Sequence, residues 1–209
     1  MAAARNRWKM SEQEKANHGA GLIGPNAVLQ LVPLLDRTGG AVWRDMLMTR
    51  AGLEVLPDGS DMIPERPVAR LHQALRHDRP DLAAQLGGQA GVATGDYILA
   101  HRIPAAAQRL LKILPWQLSA RLLSTAIARN AWTFAGSGQF LVVSPLIFEL
   151  RANPLVQGEV ADHPLCDWHR GVFTRLFQTL VHPHLSCHEP RCCATGHAAC
   201  RFEIRHDIA

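Results

Sequence analysis

The segment WTFAGSGQFLVVSPLIFEL, residues 132–150, marks a change in the chain's periodicity, and its reading decides the fold. Residues 132–135 and 140–143 are rich in aromatic and β-branched side chains and flank Gly136-Ser137-Gly138, which predicts a hairpin. Residues 146–150 continue that strand or pair with it. Upstream, apolar residues recur at helical spacing. Val28, Leu31, Val32 and Leu35 follow Pro25 until Gly39-Gly40 stops the run, and a shorter helix over 41–50 ends at Gly52. Another begins near Pro64 and carries Val68, Leu71 and Leu75 on one face. Residues 81–100 read as a helix weakened by Gly87, Gly88, Gly91 and Gly95. Two more, 104–114 and 116–129, are separated by Pro115. Downstream come a helix over 164–180, a short extended piece before Cys187, and a strand over 200–205 in which Phe202 and Ile204 alternate with charges. Helices first and strands late, without βαβ alternation, predict an α+β fold: an antiparallel sheet packed against helices. Residues 1–20 are polar and predict a flexible arm, and 21–209 a single domain.

The composition is that of an ordinary soluble domain, 47% hydrophobic and 19% charged. No apolar run is long enough to span a bilayer, and the N-terminal residues lack the apolar core of a signal peptide. These features predict a cytoplasmic protein whose five cysteines are thiols or metal ligands rather than disulfides. The net charge of +4 is mild and dispersed. It does not point to nucleic acid, but it allows peripheral contact with an anionic membrane surface.

Four of the five cysteines fall within CHEPRCCATGHAAC, residues 187–200, and Cys166 lies on the preceding helix. Zinc takes four ligands in a tetrahedron and favours thiolate sulfur in structural sites. A helix, a turn and the start of a strand can close such a shell. Glu189 and His197 add further donors, so several ligand sets are open. A lone buried cysteine is more often a small hydrophobe, but this cluster, with Pro190 and Gly196 shaping its turn, favours a metal.

Cys166, Trp168 and Gly171, then Glu189-Pro190-Arg191-Cys192, Gly196 and Cys200-Arg201-Phe202, resemble the C-terminal module of the 4-vinyl reductase domain family. The resemblance implies one structural zinc on Cys166, Glu189, Cys192 and Cys200, spaced by 23, 3 and 8 positions, within a module covering 164–209. Three thiolates and a carboxylate around a divalent ion carry a net charge near −2, which Arg191 and Arg201 are placed in sequence to offset. The stretch Gly21-Leu22-Ile23-Gly24-Pro25-Asn26-Ala27, with Gln30, resembles the opening of that family's bacteriochlorophyll-biosynthesis branch. This implies a role in bacteriochlorophyll synthesis, a magnesium-porphyrin or divinyl-protochlorophyllide ligand, biosynthetic enzymes as partners, and a homodimer.

Whether the chain is itself a reductase is a separate question. Reducing a vinyl group needs a hydride or electron source. Neither Gly136-Ser137-Gly138 nor Gly87-Gly88 forms a GxGxxG fingerprint in a strand–helix context, and the cysteines are better explained by zinc than by an iron–sulfur cluster. The residues fit binding better. Trp116, Trp132 and Phe134 are candidates to line a pocket for a flat macrocycle, with Arg109 and Arg121 meeting its carboxylates. His72, His77 and His101 are candidate magnesium ligands, although each is more simply a core or surface residue. The expected function is therefore a tetrapyrrole-binding accessory or carrier. The alternatives are the vinyl reductase of the family name, or a small-molecule sensor that signals through a partner because the chain has no P-loop.

Overall fold

The computed structural model describes residues 21–207. In chain order it contains β1 (Leu22–Ile23), α1 (Asn26–Leu29), α2 (Val32–Ala51), β2 (Ile63–Pro64), α3 (Glu65–Asp78), α4 (Pro80–His101), α5 (Ala105–Ile113), α6 (Trp116–Arg129) and α7 (Trp132–Ala135). Next come β3 (Gln139–Ser144), β4 (Ile147–Arg151), a 3₁₀ turn (Pro154–Val156), α8 (Asp167–Leu180), β5 (Leu185–Arg191), a second 3₁₀ turn (Cys193–Thr195) and β6 (Cys200–His206).

Proline punctuates the helical half. Pro64, Pro104 and Pro115 sit immediately before α3, α5 and α6, and Pro80 opens α4. Its fixed φ suits a first helical turn and discourages the preceding residue from extending an earlier helix. Gly40 adopts φ 79 and ψ 172, so the helices expected on either side of Gly39-Gly40 are the two arms of the kinked α2.

Four strands form an antiparallel sheet in the order β3-β4-β6-β5, so the last strand in sequence lies inside the sheet and β3 lies at its edge. Helix α8 covers one face. Phe148 and Phe202 from the sheet meet Phe173 of α8 with ring centroids 5.3 Å apart in each pair. These phenylalanines are almost fully buried and, with Phe177, form the centre of the core. Helix α4 crosses α8 on its other side. A Cβ on Gly91 would lie 2.1 Å from the Trp168 carbonyl oxygen, and one on Gly171 would lie 2.3 Å from that of Gly88. The glycines that weaken α4 as an isolated helix thus permit close backbone contact. The α+β class with an antiparallel sheet packed against helices is as expected.

Two local expectations are corrected. Residues 132–135 form the short helix α7, and Gly24 donates its N–H to the Thr133 carbonyl at 2.7 Å. The hairpin turn lies between β3 and β4, while Gly136-Ser137-Gly138 forms a clamp around Glu65. The buried Glu65 carboxylate accepts from the Ser137 N–H at 2.7 Å and hydroxyl at 2.6 Å, and a Cβ on Gly136 would lie 2.1 Å from its Oε2. A further small sheet, β1 with β2, went unpredicted. The expected arm, residues 1–20, lies outside the described residues.

Candidate metal centre

Three backbone devices bring Cys166, Glu189, Cys192 and Cys200 together. Cys166 is the N-cap of α8, where unpaired N–H groups and the helix dipole favour a thiolate. Glu189 and Cys192 are an odd number of residues apart, so a regular strand would direct them to opposite faces. The β5–β6 register shifts between His188 and Arg191, and past this irregularity both side chains are buried. The 3₁₀ turn at Cys193–Thr195, closed by Gly196 at φ 82, returns the chain to Cys200 at the start of β6.

The four ligand atoms all lie within 4.8 Å of one another. The sulfur–sulfur distances are 3.5 Å for Cys166–Cys200, 3.8 Å for Cys166–Cys192 and 3.8 Å for Cys192–Cys200. A tetrahedral zinc with bonds to sulfur of about 2.3 Å has edges of about 3.8 Å, which is the size of this triangle. Glu189 Oε2 accepts from the Cys166 N–H at 2.9 Å, while its Oε1 is buried without a partner. An orphaned carboxylate oxygen beside three converging sulfurs fits a cation better than a purely apolar packing role.

The electrostatics agree. Burial pushes the Glu189 carboxyl up to about 8 and the Cys166 thiol well above its ordinary value. Cys192 is shifted down because the Cys166 and Cys200 thiols donate to it. Without a cation the cluster holds fewer negative charges than it has ligands, and a divalent ion would displace its protons.

The surroundings of the sulfurs differ from expectation. Arg201 is engaged with Glu149 at 2.9 Å and Glu203 at 2.8 Å, and Arg191 is exposed on β5. The sulfurs instead receive N–H donors. Asn153 Nδ2 lies 3.2 Å from Cys166 Sγ and 3.6 Å from Cys200 Sγ, and the Cys193 N–H lies 3.3 Å from Cys200 Sγ. Asn153 is 1% exposed, and its Oδ1 is held by the Leu155 N–H, which fixes the amide's orientation. Sequence reasoning missed it. Its only signal is the Asn-Pro pair that opens the 3₁₀ turn. Cys187 is buried with its N–H bonded to Thr174 Oγ1, Cys193 Sγ lies 4.0 Å from the Leu150 carbonyl, and His197 turns to Thr195. These three remain outside the cluster.

The residues expected to face a tetrapyrrole are dispersed. Phe134 packs edge-on against Phe140 and Phe173 at 5.0 and 5.7 Å, as part of the aromatic core. Trp132 is half-buried on α7, and Trp116 meets His206 at 6.0 Å. Arg109 and Arg121 are exposed on α5 and α6. His72 is buried and bonded to the Ala27 carbonyl, His101 lies beside Tyr97, and His77 is exposed. An open cleft of about 470 Å³ between α4 and α8 is bordered by Gly88, Asp96, Asp167 and Arg170, and by none of those aromatic residues.

A 4-vinyl reductase domain is matched over residues 146–206, the span from β4 to β6 that includes the whole cluster. The chain is 53% identical to the bacteriochlorophyll synthase 23 kDa chain of Cereibacter sphaeroides, over 87% of this chain and 89% of that protein. It is 47% identical to the protein of the same name from Rhodobacter capsulatus, over 87% of this chain and 86% of that one. Its fold resembles an Fe(II) unliganded H-NOX protein from K. algicida, with a TM-score of 0.56, 11% identity, and coverage of 90% and 98% of the two chains. Identity at this level over most of both sequences shows that the chain belongs to the family of the bacteriochlorophyll synthase 23 kDa chain.

Proposed function

We propose that this chain is a non-redox accessory of bacteriochlorophyll synthesis that binds a tetrapyrrole intermediate of the magnesium-protoporphyrin or divinyl-protochlorophyllide type. The observation that carries the reading is kinship with the 23 kDa chains along most of the sequence. In this reading residues 21–209 act as one domain, and Cys166, Glu189, Cys192 and Cys200 hold one structural zinc. The zinc supplies a tetrahedral cross-link between the start of α8, the end of β5 and the start of β6. All four positions are taken by side chains, so no ligand position is left for substrate. Asn153 and the Cys193 N–H orient the sulfurs and offset their charge. The tetrapyrrole is bound as cargo on the surrounding fold, and this chain's part is to hold it, not to reduce it.

A titration of the purified full chain with Mg-protoporphyrin, its monomethyl ester and divinyl-protochlorophyllide, followed by absorbance, tests the binding. A saturable spectral shift with at least one of them is expected, and no shift with any overturns the proposal. Ethyl product from divinyl substrate and NADPH or reduced ferredoxin, with no other protein present, would favour the reductase instead.

A further inference from the structure

The α5–α6 hairpin differs from every other long helical element of the protein. None of the residues of α5 is buried. The hairpin is nevertheless fixed to the body of the protein. Leu111, Ala120, Leu123 and Ile127 belong to or pack on the core, and Ser119 Oγ donates to the Leu111 carbonyl at 2.6 Å. Away from that side, Leu110, Ile113, Leu118 and Leu122 are 50%, 80%, 43% and 44% exposed, and Trp116 stands at the bend at 36%. Arg109 and Lys112 flank the exposed apolar residues of α5, and Arg121 lies between Leu118 and Leu122 on α6.

Charge selects the partner. No Asp or Glu occurs anywhere from residue 97 to residue 148. Elsewhere arginines are matched to acids, as in Arg76–Glu159, Arg175–Asp96 and Arg201–Glu149. Arg109, Lys112 and Arg121 form no ion pair among the described residues. We propose that the outer face of the α5–α6 hairpin docks on an anionic lipid bilayer. Leucine, isoleucine and tryptophan side chains enter the headgroup boundary, while arginine and lysine extend their charged ends to lipid phosphates. A second copy of this face would bring like charges together. Nucleic acid would use the cations but leave Leu110 and Ile113 in water. The surface stands whether or not the chain carries a tetrapyrrole.

Flotation of the full chain with vesicles tests it, using pure phosphatidylcholine and a 7:3 mixture with phosphatidylglycerol. The protein is expected to float with the anionic vesicles only, and to be released by high salt. Each cation removed should weaken partitioning about five-fold, so Arg109→Gln/Lys112→Gln/Arg121→Gln together should lose about a hundred-fold. Ile113→Ser with Leu118→Ser should also abolish flotation, whereas Arg79→Gln, an exposed arginine paired with Asp81, should not change it. Thermal melts of each variant separate lost binding from lost folding. Equal binding to both vesicle types, no binding to either, or full binding by the folded triple variant would overturn the proposal. So would capture of an acidic protein by this face without any binding to lipid.

Discussion

The metal-cluster end and the α5–α6 hairpin lie on opposite sides of one requirement, that buried polar groups find partners while exposed ones need not. At the cluster each sulfur has a donor or another sulfur within reach, and the orphaned Glu189 oxygen implies a further ligand. On the hairpin, charges and large apolar side chains share a surface that intramolecular contacts leave open. The first region is specified by what it encloses and the second by what it offers outward. Mutations should therefore act on stability in one and on association in the other.

Cys200→Ser should break this contrast most severely. Losing one of three converging thiolates should release the metal and cost at least about 3 kcal/mol of stability. Metal analysis with thermal unfolding checks this, and full zinc occupancy in the variant would refute the ligand set. Gly91→Leu should cost about 3 kcal/mol without touching a ligand, because the added side chain collides with the Trp168 backbone and pushes α8 off α4. If the metal content of this variant falls as well, α8 couples the two faces.

Acid should sharpen the contrast. Burial, aided by nearby Arg76, lowers the His72 imidazole to about 3, and it is neutral and bonded to Ala27 in the fold. The unfolded chain binds its proton near pH 6.5, so this contribution is fully present above that pH and is lost as the pH falls towards 3. At pH 4 the loss should be about 3 kcal/mol relative to His72→Gln, measured as the difference between their melting profiles at pH 7.5 and pH 4. Asn153→Leu, which removes the amide donors to two sulfurs, should weaken zinc binding about 10- to 100-fold in a chelator competition. The smallest effect on stability should come from Leu118→Ser on the hairpin, within about 0.5 kcal/mol, because that side chain is already substantially exposed.

Much of this was legible in the residues. Apolar spacing and prolines located the long helices, and the family intervals singled out the four side chains that the fold brings together. Two kinds of information were not legible. The aromatic run at 132–134 has strand propensity, but one helical turn there lets the Thr133 carbonyl meet Gly24, a partner far away in sequence. Likewise, the glycines of α4 read as weakness because the helix they accommodate arrives some eighty residues later. Asn153 shares no motif with the cysteines, and its role exists only after β4 and β6 are paired.

The position of β6 between β4 and β5 also constrains how the protein is made on the ribosome. Translation delivers the helices and β3–β4 first, but the strand that joins the two parts of the sheet emerges after both. Until then Phe148 and Phe173 lack Phe202, and the cysteines lack their last member. A nascent chain halted before Cys200 should therefore expose apolar surface and reactive thiols. A fragment beginning at Pro164 would fare little better, because β6 would have a partner along only one edge; one beginning at Leu146 keeps both.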